Sequence, residues 1–134
     1  MICNTEGSGV MTKGLIHLYY GYGKGKTTAA LGLALRAAGS GKKVVIVQFL
    51  KDTNTSELKS FAQLPNVTIL RGTAAKVFVR NMTPEQLSET KDLQDANLRR
   101  ALDIVAAGEC GLLILDEALD AYQLGLLDKE LFWD

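Results

Sequence analysis

The run from Tyr20 to Ala30, YGYGKGKTTAA, constrains this chain more than any other stretch. It follows an apolar segment, Leu15-Ile16-His17-Leu18-Tyr19-Tyr20, and leads into a helix of small residues from Ala29 to Ala38. Strand, glycine turn, Lys-Thr and helix in that order are the parts of a phosphate-binding loop, which sits inside a βα unit. Gly21, Gly23 and Gly25 let the backbone turn its N–H groups inward without a Cβ clash. Those N–H groups, the helix N-terminus and the Lys26 ammonium then face a single anion. Thr27 stands where a hydroxyl ligates the magnesium ion of a nucleotide.

The spacing carries further information. The usual pattern is G-x-x-x-x-G-K-[ST], which would place its first glycine at Tyr20. The glycine is Gly21, so this loop is one residue shorter and should hold a triphosphate differently from an ordinary ATPase. A Gly/Lys-rich turn with no ligand is the plain alternative, and the flanking strand and helix speak against it. Lys24 adds a second positive charge within the loop or is a solvated side chain on its outer edge. Tyr22 is placed to stack on a flat ligand. Tyr19 and Tyr20 are expected to pack, and His17 is expected to be a core residue of its strand.

The remaining chain reads as alternating strands and helices. Gly39-Ser40-Gly41 stops the first helix, with glycine available for a left-handed cap. Val44-Val45-Ile46-Val47 lacks polar alternation, as expected of a strand buried on both faces of a parallel sheet. It leads into Gln48-Phe49-Leu50-Lys51, at the carboxyl edge where α/β proteins bind ligands. A short helix is predicted around Ser56 to Leu64, capped by Asn54 with Glu57 three residues on. Val67 to Leu70 reads as a third strand. Thr83-Pro84-Glu85-Gln86 starts a long helix with a capping box, and Leu98, Ala101, Leu102 and Val105 form its core face. Leu112-Leu113-Ile114-Leu115-Asp116-Glu117 is a fourth strand ending in two acids, Ala118 to Leu124 a helix, and Asp128 the cap of another.

This order predicts an α/β fold: a P-loop NTPase-like, three-layer arrangement around a mostly parallel sheet. Four strands make a thin sheet, which is expected to be completed by further strands or by a partner. Residues 1–13 read as a flexible leader and residues 14–134 as a single nucleotide-binding domain. A chain of 134 residues that is 47% hydrophobic is large enough for a real core and too apolar for disorder. Lys and Arg together number 15, as do Asp and Glu, so nothing marks a general binder of nucleic acid or membrane surfaces. Cys3 and Cys110 are far apart without metal-ligand spacing, which suits reduced thiols in the cytoplasm. No long apolar span or signal-peptide pattern is present.

In a phosphate-loop protein, an apolar strand ending in Asp commonly neighbours the loop strand, and its Asp reaches the magnesium ion. Asp116 fits that role, with helix capping as the structural alternative. Glu117 is placed to orient water, hold a ribose or act as a base.

These residues resemble a known family. The run GYGKGKTTAA, followed by LALRAAGSGKKVVIVQFLK, is similar to the signature of the ATP:corrinoid adenosyltransferases of cobalamin synthesis and salvage. Leu112 to Glu117 and Gly125-Leu126-Leu127-Asp128 also match, so the likeness covers roughly Gly14 to Asp128. The resemblance implies transfer of the 5′-deoxyadenosyl group of ATP to the cobalt(I) of a corrinoid, with release of triphosphate. It implies ATP as cosubstrate, Mg2+ or Mn2+ as the ion, an electron-donating flavoprotein as partner, and a homodimer. Carried over residue by residue, Gly21, Tyr22, Gly23, Lys24, Gly25, Lys26, Thr27 and Thr28 would hold the nucleotide. Lys26, Thr27 and Glu117 would serve catalysis, and Thr27 and Asp116 the metal. Phe78 would approach the corrin face. Arg36, Gln48 and Lys51 are secondary candidates.

The chain departs from the family pattern at several positions. Tyr22 replaces an Asn, and Arg80 stands where a Phe-x-Trp pair has its Trp. Leu119 and Asp120 replace an Asn-Tyr pair, and the family's later strand bearing Thr-Gly-Arg is not met. Two other functions therefore stand beside the transferase: a phosphate-loop ATPase or kinase, and a nucleotide-binding module without turnover.

Overall fold

A computed structural model describes residues 2–4, 14–51, 55–73 and 76–133, the first three by their backbone alone. The strands are β1 (Ile2–Asn4), β2 (Leu15–His17), β3 (Val44–Gln48), β4 (Val67–Arg71) and β5 (Leu112–Asp116). The helices are α1 (Lys26–Gly39), α2 (Ser56–Phe61), α3 (Pro84–Ala106), α4 (Ala118–Gln123) and α5 (Lys129–Trp133). One sheet holds all five strands in the order β2-β1-β5-β3-β4. β3 pairs in parallel with both β4 and β5.

β3 and β5 are buried at every position, as their unbroken apolar sequences predicted. Their alternate residues feed two cores. Val44, Ile46, Leu112 and Ile114 face α1, where Ala30, Ala34 and Ala38 recur every fourth residue and let the helix approach the sheet. Val45, Val47, Leu113 and Leu115 face the other side, against Leu98 and Ala101 of α3. Helices on both faces give the expected three layers. The parallel register aligns Gln48 with Asp116 on one side and with Arg71 on the other, so three polar residues meet at the carboxyl edge.

Local signals hold where they are strongest. Thr83 Oγ1 accepts from the Gln86 N–H at 3.2 Å, and Gln86 Oε1 accepts from the Thr83 N–H at 2.9 Å, completing the capping box of α3. Asp128 Oδ1 accepts from the Leu131 N–H at 3.0 Å and caps α5. Gly41, with φ of 84°, supplies the left-handed residue that ends α1. Thr55 occupies the cap position of α2, and Asn54, expected there, lies outside the described residues.

Several expectations need correction. Ile2–Asn4 is a strand, not part of a leader outside the fold. It lies antiparallel between β2 and β5, so the loop strand is not the direct neighbour of the acidic strand. β2 ends at His17 instead of reaching Tyr20, and its residues are exposed. His17 is therefore a surface residue, and Tyr20 is 78% exposed instead of packed. The physical reason is position: β2 is the edge of the sheet and has a partner on one side only.

Candidate functional site

The loop between β2 and α1 is held by backbone conformation. Gly21, Gly23, Lys24 and Gly25 all have positive φ, from 64° to 105°. Successive left-handed residues turn N–H groups to one side, and Lys24 is the one residue among them that accepts the Cβ strain. Gly25 is the N-cap of α1 and has no side chain to satisfy the first-turn N–H groups, so these stay available to an anion. The Lys26 ammonium folds across the loop and donates to the carbonyls of Gly21 and, at 3.4 Å, of Gly23. Thr28 is exposed in the first turn of α1, and Tyr22 is fully exposed at the crest of the loop.

The acidic side is built from distant segments. Asp116, 8% exposed at the end of β5, is the hub. Thr27 Oγ1 lies 3.0 and 3.1 Å from its two carboxylate oxygens and donates to the carboxylate. Lys51 Nζ donates to Asp116 Oδ2 at 2.6 Å and to Thr27 Oγ1 at 3.0 Å. Gln48 Nε2 donates to the same carboxylate at 3.4 Å, while its Oε1 accepts from Arg71 Nη1 at 3.1 Å. The hydroxyl and carboxylate that the sequence assigned to a metal are thus in direct contact. Lys51 and Gln48, secondary candidates in the sequence, belong to the centre of the site. Arg71 was missed. Its signal was its place at the carboxyl end of a parallel strand, in register with Gln48.

Thr27 and Asp116 offer oxygen donors, and Mg2+ commonly takes one or two protein oxygens and fills its remaining positions with phosphate and water. Lys51 already places positive charge at 2.6 Å from the carboxylate. The donor set therefore fits a magnesium ion that arrives with phosphates. Among the described residues no group of three or more His, Cys, Asp or Glu side chains could hold a metal without them.

Glu117 follows Asp116 in a left-handed conformation, φ 60°, at the N-cap of α4. Its carboxyl is raised above the usual carboxylate range, first by the hydrogen bond with Asp120, then by burial and by the charge of Asp116. Next to the loop lies a cavity of about 610 Å3, with Lys26 and Asp116 in its wall along with Tyr22, Glu117, Leu119 and Asp120. Phe78 is not among its lining residues. It is 75% exposed before the short turn at Val79–Asn81, with the Arg80 guanidinium 5.5 Å from its ring centroid. The structure thus brings Lys26, Thr27, Asp116 and Glu117 together around the loop, while Phe78 is exposed and does not line the cavity.

The family model described as ATP:corrinoid adenosyltransferase BtuR/CobO/CobP matches residues 12–134. The chain belongs to this family. Among its relatives, the corrinoid adenosyltransferase of Pseudomonas aeruginosa is 31% identical over 121 residues, covering 88% of this chain and 57% of that protein. The corrinoid adenosyltransferase of Escherichia coli K12 is 61% identical over 41 residues, which are 31% of this chain and 21% of that protein. An uncharacterised protein of Nostoc is 33% identical over 135 residues, 87% of this chain and 34% of its own length. In these matches the chain spans at most little more than half of each relative. Among the described residues no helix is long and apolar enough to cross a membrane.

Proposed function

We propose that this chain transfers the 5′-deoxyadenosyl group of ATP to the cobalt of a reduced corrinoid substrate. The observation that carries the reading is the contact of Thr27 with Asp116 and Lys51 at the foot of a shortened phosphate loop, in a chain of this family. Cobalt(I) supplies the electron pair that forms the cobalt–carbon bond at C5′. The C5′–O bond breaks with its electrons, and the whole triphosphate departs. No proton has to move at cobalt or carbon, so Glu117 is not needed as a general base.

Charge builds up on the leaving triphosphate, and the loop meets it with fixed donors. The N–H groups of Gly21 to Gly25, the α1 N-terminus and Lys26 bear on the phosphate oxygens. Lys51 adds a cation whose position is fixed by Asp116 and Thr27. A magnesium ion held by Thr27 and Asp116 would neutralise phosphate charge. The exposed Phe78 and Arg80 are the surface offered to the corrin face in this reading. An electron-donating flavoprotein, a homodimeric assembly and a cytoplasmic setting belong to the same proposal.

The test is anaerobic. Protein, magnesium-ATP and a chemically reduced cobalt(I) corrinoid are mixed, the visible spectrum is followed and the phosphate products are analysed. A light-sensitive alkyl-cobalt product with an equal amount of triphosphate is expected. Orthophosphate release without the adduct would make the chain an ATPase, and binding without turnover a nucleotide-binding module.

A further inference from the structure

A strained piece of backbone precedes the cation at Asp116. Phe49, fully buried, extends β3 by donating its N–H to the Asp116 carbonyl at 3.0 Å. Leu50 then takes a left-handed conformation, φ 58°, with its side chain packed against the core. A bulky residue keeps that conformation only where its surroundings hold it. Next in the chain is Lys51, whose side chain is 25% exposed. Its ammonium lies 2.6 Å from Asp116 Oδ2 and 3.0 Å from Thr27 Oγ1.

Those two oxygens are the protein donors that suit a divalent ion. Magnesium binds oxygen at about 2.1 Å, so an ion on Asp116 Oδ2 would lie within about 5 Å of the ammonium. Cations that close repel each other strongly beside a protein surface. Asp116 Oδ2 is also crowded, with Thr27 Oγ1 at 3.1 Å and Gln48 Nε2 at 3.4 Å in addition to Lys51. We propose that Lys51 is a built-in cation that closes Thr27 and Asp116 to a free divalent ion. It yields them when a polyphosphate in the loop offers its ammonium another anion. Ion and phosphate then enter together, and an ion without phosphate is turned away. The inference rests on the reading of Thr27 and Asp116 as the metal's oxygens, and adds the residue that makes their occupancy conditional.

Manganese(II), whose free form is counted by electron paramagnetic resonance, serves as the probe in titrations without phosphate. The wild-type chain is expected to bind Mn2+ weakly. Lys51→Gln removes the charge and leaves Asp116 an amide donor, and should tighten Mn2+ binding by about tenfold or more. Lys51→Met keeps the apolar stem, should act alike, and carries the test if the first variant does not fold. Lys26→Gln removes an equal charge whose ammonium donates to the carbonyls of Gly21 and Gly23, and should move Mn2+ binding by less than about threefold. In a second titration, with tripolyphosphate and a chelator, Lys51→Gln should bind about fivefold more weakly than the wild type. Mn2+ affinity that does not rise when Lys51 is neutralised would overturn the proposal. So would an equal rise in Lys26→Gln, which would make the effect one of net charge. Unchanged tripolyphosphate affinity in Lys51→Gln would overturn the passage of the ammonium to phosphate. Failure of the wild type to bind tripolyphosphate, with or without magnesium, removes the phosphate-loop reading itself, and the manganese comparison still decides whether Lys51 blocks the two oxygens.

Discussion

The two halves of the site reach their geometry by different routes. The loop from Gly21 to Gly25 is exposed throughout and is shaped by its own backbone, with four residues at positive φ. Asp116 is nearly buried and is held by Thr27 of α1 and by Gln48 and Lys51 at the end of β3, two separate parts of the chain. One half is specified locally, the other by the register of parallel strands. Substitutions should therefore act mainly on ligand binding in the loop, and on both stability and chemistry at the carboxylate.

Asp116→Asn should show the largest effect and is the strongest challenge to this contrast. It keeps the shape but removes the charge that Lys51 and Thr27 share. Turnover in the anaerobic assay should fall by at least ~100-fold, and unfolding free energy by about 1–3 kcal/mol because Lys51 loses its partner. Full turnover with unchanged stability would mean that the contact of Thr27, Asp116 and Lys51 has no part in the reaction.

Gly23→Ala probes the loop half. A Cβ at Gly23 meets nothing within 4 Å, so the cost is that of the backbone conformation, φ 64°, alone. A left-handed alanine costs about 1–2 kcal/mol, and in an exposed loop this should appear chiefly as an affinity for ATP weakened roughly tenfold. Thermal denaturation should move little. A large loss of melting temperature with intact ATP affinity would reverse the contrast between the two halves.

The smallest expected effect is pH-dependent. The Glu117 carboxyl is raised in the folded protein, so its contribution to stability is complete below the unfolded carboxylate value of about 4.3. That contribution is lost as pH rises through the raised folded value. Glu117→Gln keeps the contact with Asp120 but cannot ionise. Denaturant titrations should show the variant gaining on the wild type as pH rises above the usual carboxylate range, then levelling off. Parallel stability curves across that range would show that Glu117 and Asp120 do not interact in solution.

Much of the fold was legible because its signals are local or periodic. The unbroken apolar runs at Val44 and Leu112 announced strands buried on both faces, and the capping box at Thr83 fixed the start of α3. The glycine loop, Lys26 and Thr27 were legible for the same reason, since positive φ and helix N-termini depend on residues a few positions apart. The edge of the sheet was less legible. The insertion of Ile2–Asn4 beside β5, and with it the exposure of His17 and Tyr20, depends on which strand finds which partner.

By itself the sequence determined an α/β chain with a short phosphate loop and an acid at the end of a buried strand, because backbone conformation and burial leave residue-level marks. Only the tertiary structure decided that Thr27, Asp116, Lys51, Gln48 and Arg71 form one network. It also decided that Leu119, Asp120 and Gln123 share a cavity with Lys26, and that Phe78 does not line it. These groupings follow from sheet register and helix rotation, which join residues up to 89 positions apart, and no local pattern encodes such a meeting.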